Sequence, residues 1–188
     1  MDGRVDSARD VDDILAVLEA TVDRPNPDGE AVTLLEHSLQ CANLLAIAFP
    51  EDLELQVAGL THDVGHVLTP DEPESHARAA SQFVAAVLGR RVAGLIDLPV
   101  TAKRYLVTVD PQYRERLSTV SRDTLTLQGD TLSATATAAF LAGPVWREAL
   151  ALRRADDMAK TPGLRIGPLH QWRSTLDEVA RRFGIMRG

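Results

Sequence analysis

The sequence predicts an all-α domain, on three observations. Apolar residues recur at helical spacing in one segment after another, as at Val11, Ile14, Leu15, Leu18 and Val22. No segment alternates apolar and polar residues with the period of two that a half-buried strand requires. The composition is 45% hydrophobic but only 4% aromatic, rich in Ala and Leu, as helices favour. At 188 residues the chain suffices for one domain with a sizeable core. About seven to nine helices are expected.

The first helix is expected over residues 7–22, with Ser7 and Asp10 resembling a capping box. The stretch Arg24-Pro25-Asn26-Pro27-Asp28-Gly29 breaks it. A second helix runs from about Glu30 to Ala48, with Leu35, Leu39, Ala42 and Leu45 as its stripe, and Pro50 closes it. A third is expected over 52–68. On it His62 and His66, four apart, share a face, with Asp63 rotated by about 100°. After the acidic loop 69–75, a helix from Ser75 to Leu88 stops at Gly89, and a short one covers 90–98. Pro99 starts or kinks the helix ending at Val109. A short helix follows Asp110-Pro111, and the polar residues 121–130 read as a loop. Helices over 133–142 and 144–160 flank Gly143-Pro144, and a last one runs from Pro168 to Phe183 after Thr161-Pro162-Gly163.

A formal net charge of −7 and a pI near 5.2 argue against binding nucleic acid or anionic membrane through bulk charge. A small anion in a local basic pocket is compatible with both. Cys41 is the only cysteine, so an intramolecular disulfide and a Cys-based zinc site are excluded. No apolar run reaches membrane-spanning length, and residues 1–20 are unlike a signal peptide. The expected location is the cytoplasm.

The chemistry centres on Thr61-His62-Asp63-Val64-Gly65-His66, which holds two of the five histidines. Neutral imidazole and carboxylate are the usual ligands of iron, manganese and zinc. An adjacent His-Asp pair offers a nitrogen and a carboxylate from one helical turn. A surface or capping histidine is the ordinary alternative, so partners elsewhere must decide. His37 in Leu35-Glu36-His37-Ser38-Leu39-Gln40 and Asp156 in Arg153-Arg154-Ala155-Asp156-Asp157-Met158-Ala159-Lys160 are the candidates.

The order His, His-Asp, Asp resembles the HD-domain superfamily of metal-dependent enzymes. The resemblance implies a helical bundle in which His37, His62, Asp63 and Asp156 converge on one metal. Asp156 is preferred to Asp157 because it stands four residues before Lys160, as in the family pattern. Gly29-Glu30, Ala102-Lys103-Arg104-Tyr105-Leu106, Leu127-Gln128-Gly129 and Asp157-Met158-Ala159-Lys160 with Pro162-Gly163 are similar to one branch, the HD-domain oxygenases. That branch includes phosphonate-cleaving enzymes and, more distantly, myo-inositol oxygenase. The similarity covers roughly residues 29–165, between an N-terminal helix and linker (1–28) and a C-terminal helix (166–188) of one HD domain.

For this branch the resemblance implies a diiron centre with Asp63 bridging the irons. His76 in Ser75-His76-Ala77-Arg78 matches one further ligand of the second iron. The other does not match. Where the family has a histidine four residues before Lys103, this chain has Pro99, and a tyrosine three residues before Glu30 is replaced by Pro27. Asp97, water or substrate would have to complete the second shell, or His170 if the C-terminal helix folded back. Lys103, Ser121, Gln128 and Arg153 correspond to residues that hold the phosphonate, and His66 stands close to the substrate. Lys and Arg offer charge, and Ser and Gln offer neutral hydrogen bonds. On amphipathic helices such Lys and Arg are ordinarily solvated.

Three readings follow. The first is an iron oxygenase with an altered second metal site, acting on a small anionic, phosphonate- or phosphate-like substrate. The second is a phosphohydrolase with one Mn, Zn or Mg ion, in which Lys103 and Arg153 steady the charge and His66 moves a proton. The third is a degenerate binding protein that keeps the fold. Oligomeric state is not legible in the sequence.

Overall fold

The computed structural model describes residues 6–27 and 29–187, without the side chains of 73 and 185–187. Residues 1–5 and Asp28, part of the expected N-terminal segment and break, lie outside the described residues. All regular structure among the described residues is helical, and nine helices have nine or more residues. In chain order these elements are α1 (Val11–Glu19), α2 (Leu34–Ala48), α3 (Leu53–Thr61), the short α4 (Gly65–Leu68), α5 (His76–Ile96), α6 (Pro99–Val109), the short α7 (Pro111–Arg116), α8 (Thr119–Leu127), α9 (Ala134–Ala142), α10 (Trp146–Met158) and α11 (Arg173–Arg187).

Helix starts follow capping chemistry. Asp10, not Ser7, caps α1, accepting from the Asp13 N–H, so the helix begins later than expected. Thr33 and Glu36 form a reciprocal capping box that starts α2 at Leu34 rather than near Glu30. Pro99 occupies the first turn of α6, where its missing N–H costs no helical bond. The expected loop at 121–130 is instead mostly α8, capped by Ser118 accepting from the Ser121 N–H. Its polar composition hid an amphipathic helix whose inner face buries Ser121 and Leu125.

The helices α2, α3, α5, α6 and α10 form the packed body, and α11 lies against α5, α3 and α1. Leu45, Leu55, Leu60, Leu88, Leu95, Ile96 and Leu152 are fully buried there, each contributing roughly 1.5–3 kcal/mol of apolar burial. Gly59 lets α3 sit against α2, since a Cβ there would lie 2.5 Å from Leu45 Cδ1. Gly89 interrupts α5 with φ of +89°, so the stop expected at that residue exists as a kink between two helical halves.

The expected single helix over 52–68 does not form. It ends at Thr61, and the next residues close with i to i−3 bonds: Val64 N–H to Thr61 O, His66 N–H to Asp63 O and Val67 N–H to Val64 O. This tighter winding breaks the four-residue register. His62 and His66 therefore do not share a face, and each joins a different cluster.

Candidate metal centre

His37 lies in the first turn of α2, His62 directly after α3, and Asp156 near the end of α10. His37 and His62 are almost fully buried, and Asp63 and Asp156 are largely buried. His37 Nε2 is 3.3 Å from His62 Nε2, 3.4 Å from Asp63 Oδ2 and 3.3 Å from Asp156 Oδ1. His62 Nε2 is 3.4 Å from Asp63 Oδ2 and 3.9 Å from Asp156 Oδ1. Donors bonded to one metal at about 2.1 Å are separated by roughly 3.0–3.4 Å, so most of these edges suit a shared ion.

The outer contacts fix the tautomers. The Nδ1–H of His37 donates to Ala159 O and that of His62 to Gly59 O, each at 2.9 Å. A carbonyl can only accept, so the proton sits on Nδ1 and the Nε2 lone pair faces the centre. Two lone pairs and two carboxylates thus point at one spot and repel one another unless a cation is there. Burial would lower the pKa of His62, but Asp63 and Asp156 outweigh it and hold it at about 9. The same carboxylates raise that of His37 against its burial. Burial opposes ionisation of Asp156, yet Arg153, His37 and His62 hold its carboxyl well below the usual range. A proton and a metal ion compete for this field. The residues present fit a divalent metal.

Asp157 turns away from the centre. It accepts from Tyr113 Oη and from Arg153 Nη2. Arg153 Nη1 donates to Asp156 Oδ2 at 2.9 Å and Nε to Tyr113 Oη at 3.1 Å. Arg153, expected on the substrate, thus commits three of its five donors to bracing Asp156, Asp157 and Tyr113. Tyr113 carried no sequence signal for this role.

A second group adjoins the first. Asp63, His66 and His76 each offer a donor atom, all within 4.8 Å of one another. His76 Nε2 is 4.0 Å from Asp63 Oδ1, the oxygen not turned to His37 and His62. The rings of His66 and His76 stack at 4.1 Å and 14°. Gly65 permits this approach, because a Cβ there would lie 1.8 Å from the His76 carbonyl oxygen.

Both groups line a cleft of about 360 Å³, with Lys103, Ser121, Gln128, Arg153 and Pro99 in its walls. Lys103 is buried, its Nζ donating to Thr124 Oγ1 at 3.1 Å. Gln128 Oε1 is buried without a hydrogen-bond partner. Glu74, Asn26 and Thr124 also line the cleft, though no motif marks them in the sequence. The two residues invoked to complete the second shell lie elsewhere. Asp97 accepts from Ser81 Oγ at 2.9 Å, and burial raises its pKa. His170 is exposed beside Leu15, Glu19 and Arg173. The C-terminal segment packs on α1 and α5 rather than over the cleft, which removes His170 from the site.

A family model described as HD domain matches residues 34–104. Over 157 residues the chain is 34% identical to a hydroxymethylphosphonate dioxygenase of Gimesia maris, covering 79% of this chain and 78% of that protein. It is 32% identical over 140 residues to a glycine-betaine-forming 1-hydroxy-2-(trimethylamino)ethylphosphonate dioxygenase of Leisingera caerulea, covering 70% of this chain and 71% of that one. It is also 32% identical to an uncharacterised protein of Acanthamoeba polyphaga mimivirus, covering 80% and 73%. The chain belongs to the HD-domain family, and its relatives include phosphonate dioxygenases. It is an enzyme of that family. No helix among the described residues is long and apolar enough to cross a membrane.

Proposed function

We propose that this protein is an iron-dependent oxygenase that cleaves a small phosphonate. The observation that carries the reading is the position of Asp63, whose two oxygens face different histidine clusters inside one cleft. A mononuclear hydrolase has no use for the second cluster. Similarity to two phosphonate dioxygenases over most of their length supports the choice.

His37, His62, Asp63 and Asp156 would hold the iron, which when bound would supply O₂ activation and oxidation of a substrate C–H bond. The chain supplies the rest. The Lys103 ammonium, with Ser121, Thr124 and Gln128 beside it, forms the anion end of the cleft and orients the phosphonate. Its distance from solvent strengthens that attraction. Arg153 fixes the Asp156 carboxylate from behind, so the ligand oxygen keeps its direction. His66 also lines the cleft, beside the first metal site.

One observation favours a phosphohydrolase instead: Pro99 stands in the cleft wall where the branch has a histidine. The test uses protein purified anaerobically with iron and incubated with hydroxymethylphosphonate. Oxygen uptake matched by phosphate release is expected. Phosphate release from a simple phosphomonoester without oxygen uptake would overturn the reading in favour of hydrolysis.

A further inference from the structure

We propose that His66 takes the ligand place that Pro99 cannot fill, so that Asp63, His66 and His76 hold a second metal ion beside the first. The inference deepens the oxygenase reading and rests on its first metal site.

Three observations carry it. The Asp63 carboxylate is divided, with Oδ2 3.4 Å from the Nε2 atoms of His37 and His62 and Oδ1 4.0 Å from His76 Nε2. A carboxylate so placed can serve two ions a few ångströms apart. The donor atoms of Asp63, His66 and His76 lie within 4.8 Å of one another, and a modest turn of the His66 ring off its stack on His76 would aim both lone pairs at one ion. Finally, the backbone delivers His66 there. The i to i−3 turns at residues 61–67 swing it off the face of His62, and Gly65 admits the His76 backbone. In a regular helix His66 would have followed His62 toward the first cluster. Pro99, at the first turn of α6, lines the cleft without offering a donor.

The second group differs from the first in tightness. Its His76 Nε2–Asp63 Oδ1 edge is 4.0 Å, against 3.3–3.9 Å for the nitrogen–nitrogen and nitrogen–oxygen edges of the first. Its three residues are only partly buried. The second ion is therefore held more weakly and leaves first on dialysis, with its remaining positions taken by water or substrate.

The test is an anaerobic titration of the metal-free protein with iron(II). Metal per chain is read by mass spectrometry, and coupling between ions by Mössbauer and EPR spectroscopy. Wild type is expected to bind about two ions per chain, one more weakly, and His66→Ala about one, with the coupled signal lost. His66→Gln guards against a packing defect, and circular dichroism checks folding of both. The double variant Pro99→His with His66→Ala is expected to regain the second ion, since it returns a histidine to the cleft. Two coupled ions retained in His66→Ala and His66→Gln would overturn the proposal. A single ion in wild type that is lost in His62→Ala would overturn it too, while leaving the first site standing. No bound ion in wild type would remove both the proposal and the metal reading beneath it.

Discussion

His37 donates from Nδ1 to the carbonyl oxygen of Ala159 at 2.9 Å, joining residues 122 positions apart. The bond ties the first histidine of the site to the turn that follows its last aspartate. Two neighbours reinforce it. Gln40 Nε2 donates to Thr161 O at 2.9 Å, while Thr161 N–H donates to Gln40 Oε1 at 3.0 Å. Lys160 Nζ pairs with Glu30 Oε1 at 3.1 Å. Helix α2 thus grips the end of α10, and Asp156 is carried to His37 by that grip.

Gln40→Ala should therefore weaken both fold and site. It removes two hydrogen bonds and leaves Thr161 N–H and C=O without them, at a cost of about 1–3 kcal/mol in urea unfolding. Metal affinity should fall by roughly tenfold or more, because an outer contact that aims a ligand is lost. Equilibrium dialysis against a competing chelator measures it.

The adjacent aspartates should separate cleanly. Asp156→Ala is expected to abolish tight metal binding, since its oxygen stands 3.3 Å from His37 Nε2. Asp157→Ala should keep the metal but loosen Arg153 and Tyr113, lowering activity more than metal content. Metal analysis of the two purified variants decides the assignment, and equal metal loss in both would sink it.

Gly65→Ala should be severe. The new Cβ would meet backbone, the His76 carbonyl oxygen at 1.8 Å, and backbone has little room to yield. A loss of about 3 kcal/mol or more is expected, together with displacement of His76 from Asp63. Thermal unfolding reports the first effect, and the iron spectrum reports the second.

Lys103→Met should leave the metal and the fold in place and cost anion affinity. Removing one buried charged hydrogen-bond donor corresponds to roughly 1.5–3 kcal/mol, or about ten- to a hundredfold in affinity. Competition by inorganic phosphate or methylphosphonate in the activity assay measures the change. Unchanged affinity would move the anion end of the cleft elsewhere.

Asp52 gives a pH signature far from the site. It caps α3, accepting from the Leu55 N–H, and takes both Arg91 nitrogens at 2.7 Å. Burial opposes its charge, but Arg91 and the Leu55 N–H outweigh it and its pKa is lowered. A lowered folded pKa means the stabilisation is complete above the unfolded value, near 3.9, and is lost as pH falls through the folded value. Asn keeps the cap but not the charge. Asp52→Asn should thus cost about 0.5–1 kcal/mol at pH 7, discounted for partial exposure, and the gap should be smaller at about pH 3. Paired urea titrations at the two pH values test it.

Much of this protein was written locally. The apolar periodicity announced helices, Pro99 announced the start of α6, and Gly89 announced a break, because caps, φ restrictions and amphipathic faces act within a few residues. The residues of the first cluster could be named only through the resemblance carried by their order, His, His-Asp, Asp, and by the spacing of Asp156 from Lys160. Two local readings failed where polar composition or helical register misled: α8 was read as loop, and 52–68 as one helix. What only tertiary structure decided is which side chains meet. The 3₁₀ winding after Thr61 sent His62 to His37 and His66 to His76. Packing of α10 on α2 chose Asp156 for the centre and left Asp157 to Tyr113. Such encounters join residues many turns apart, and the packing free energy that arranges them has no signature in any short window of sequence.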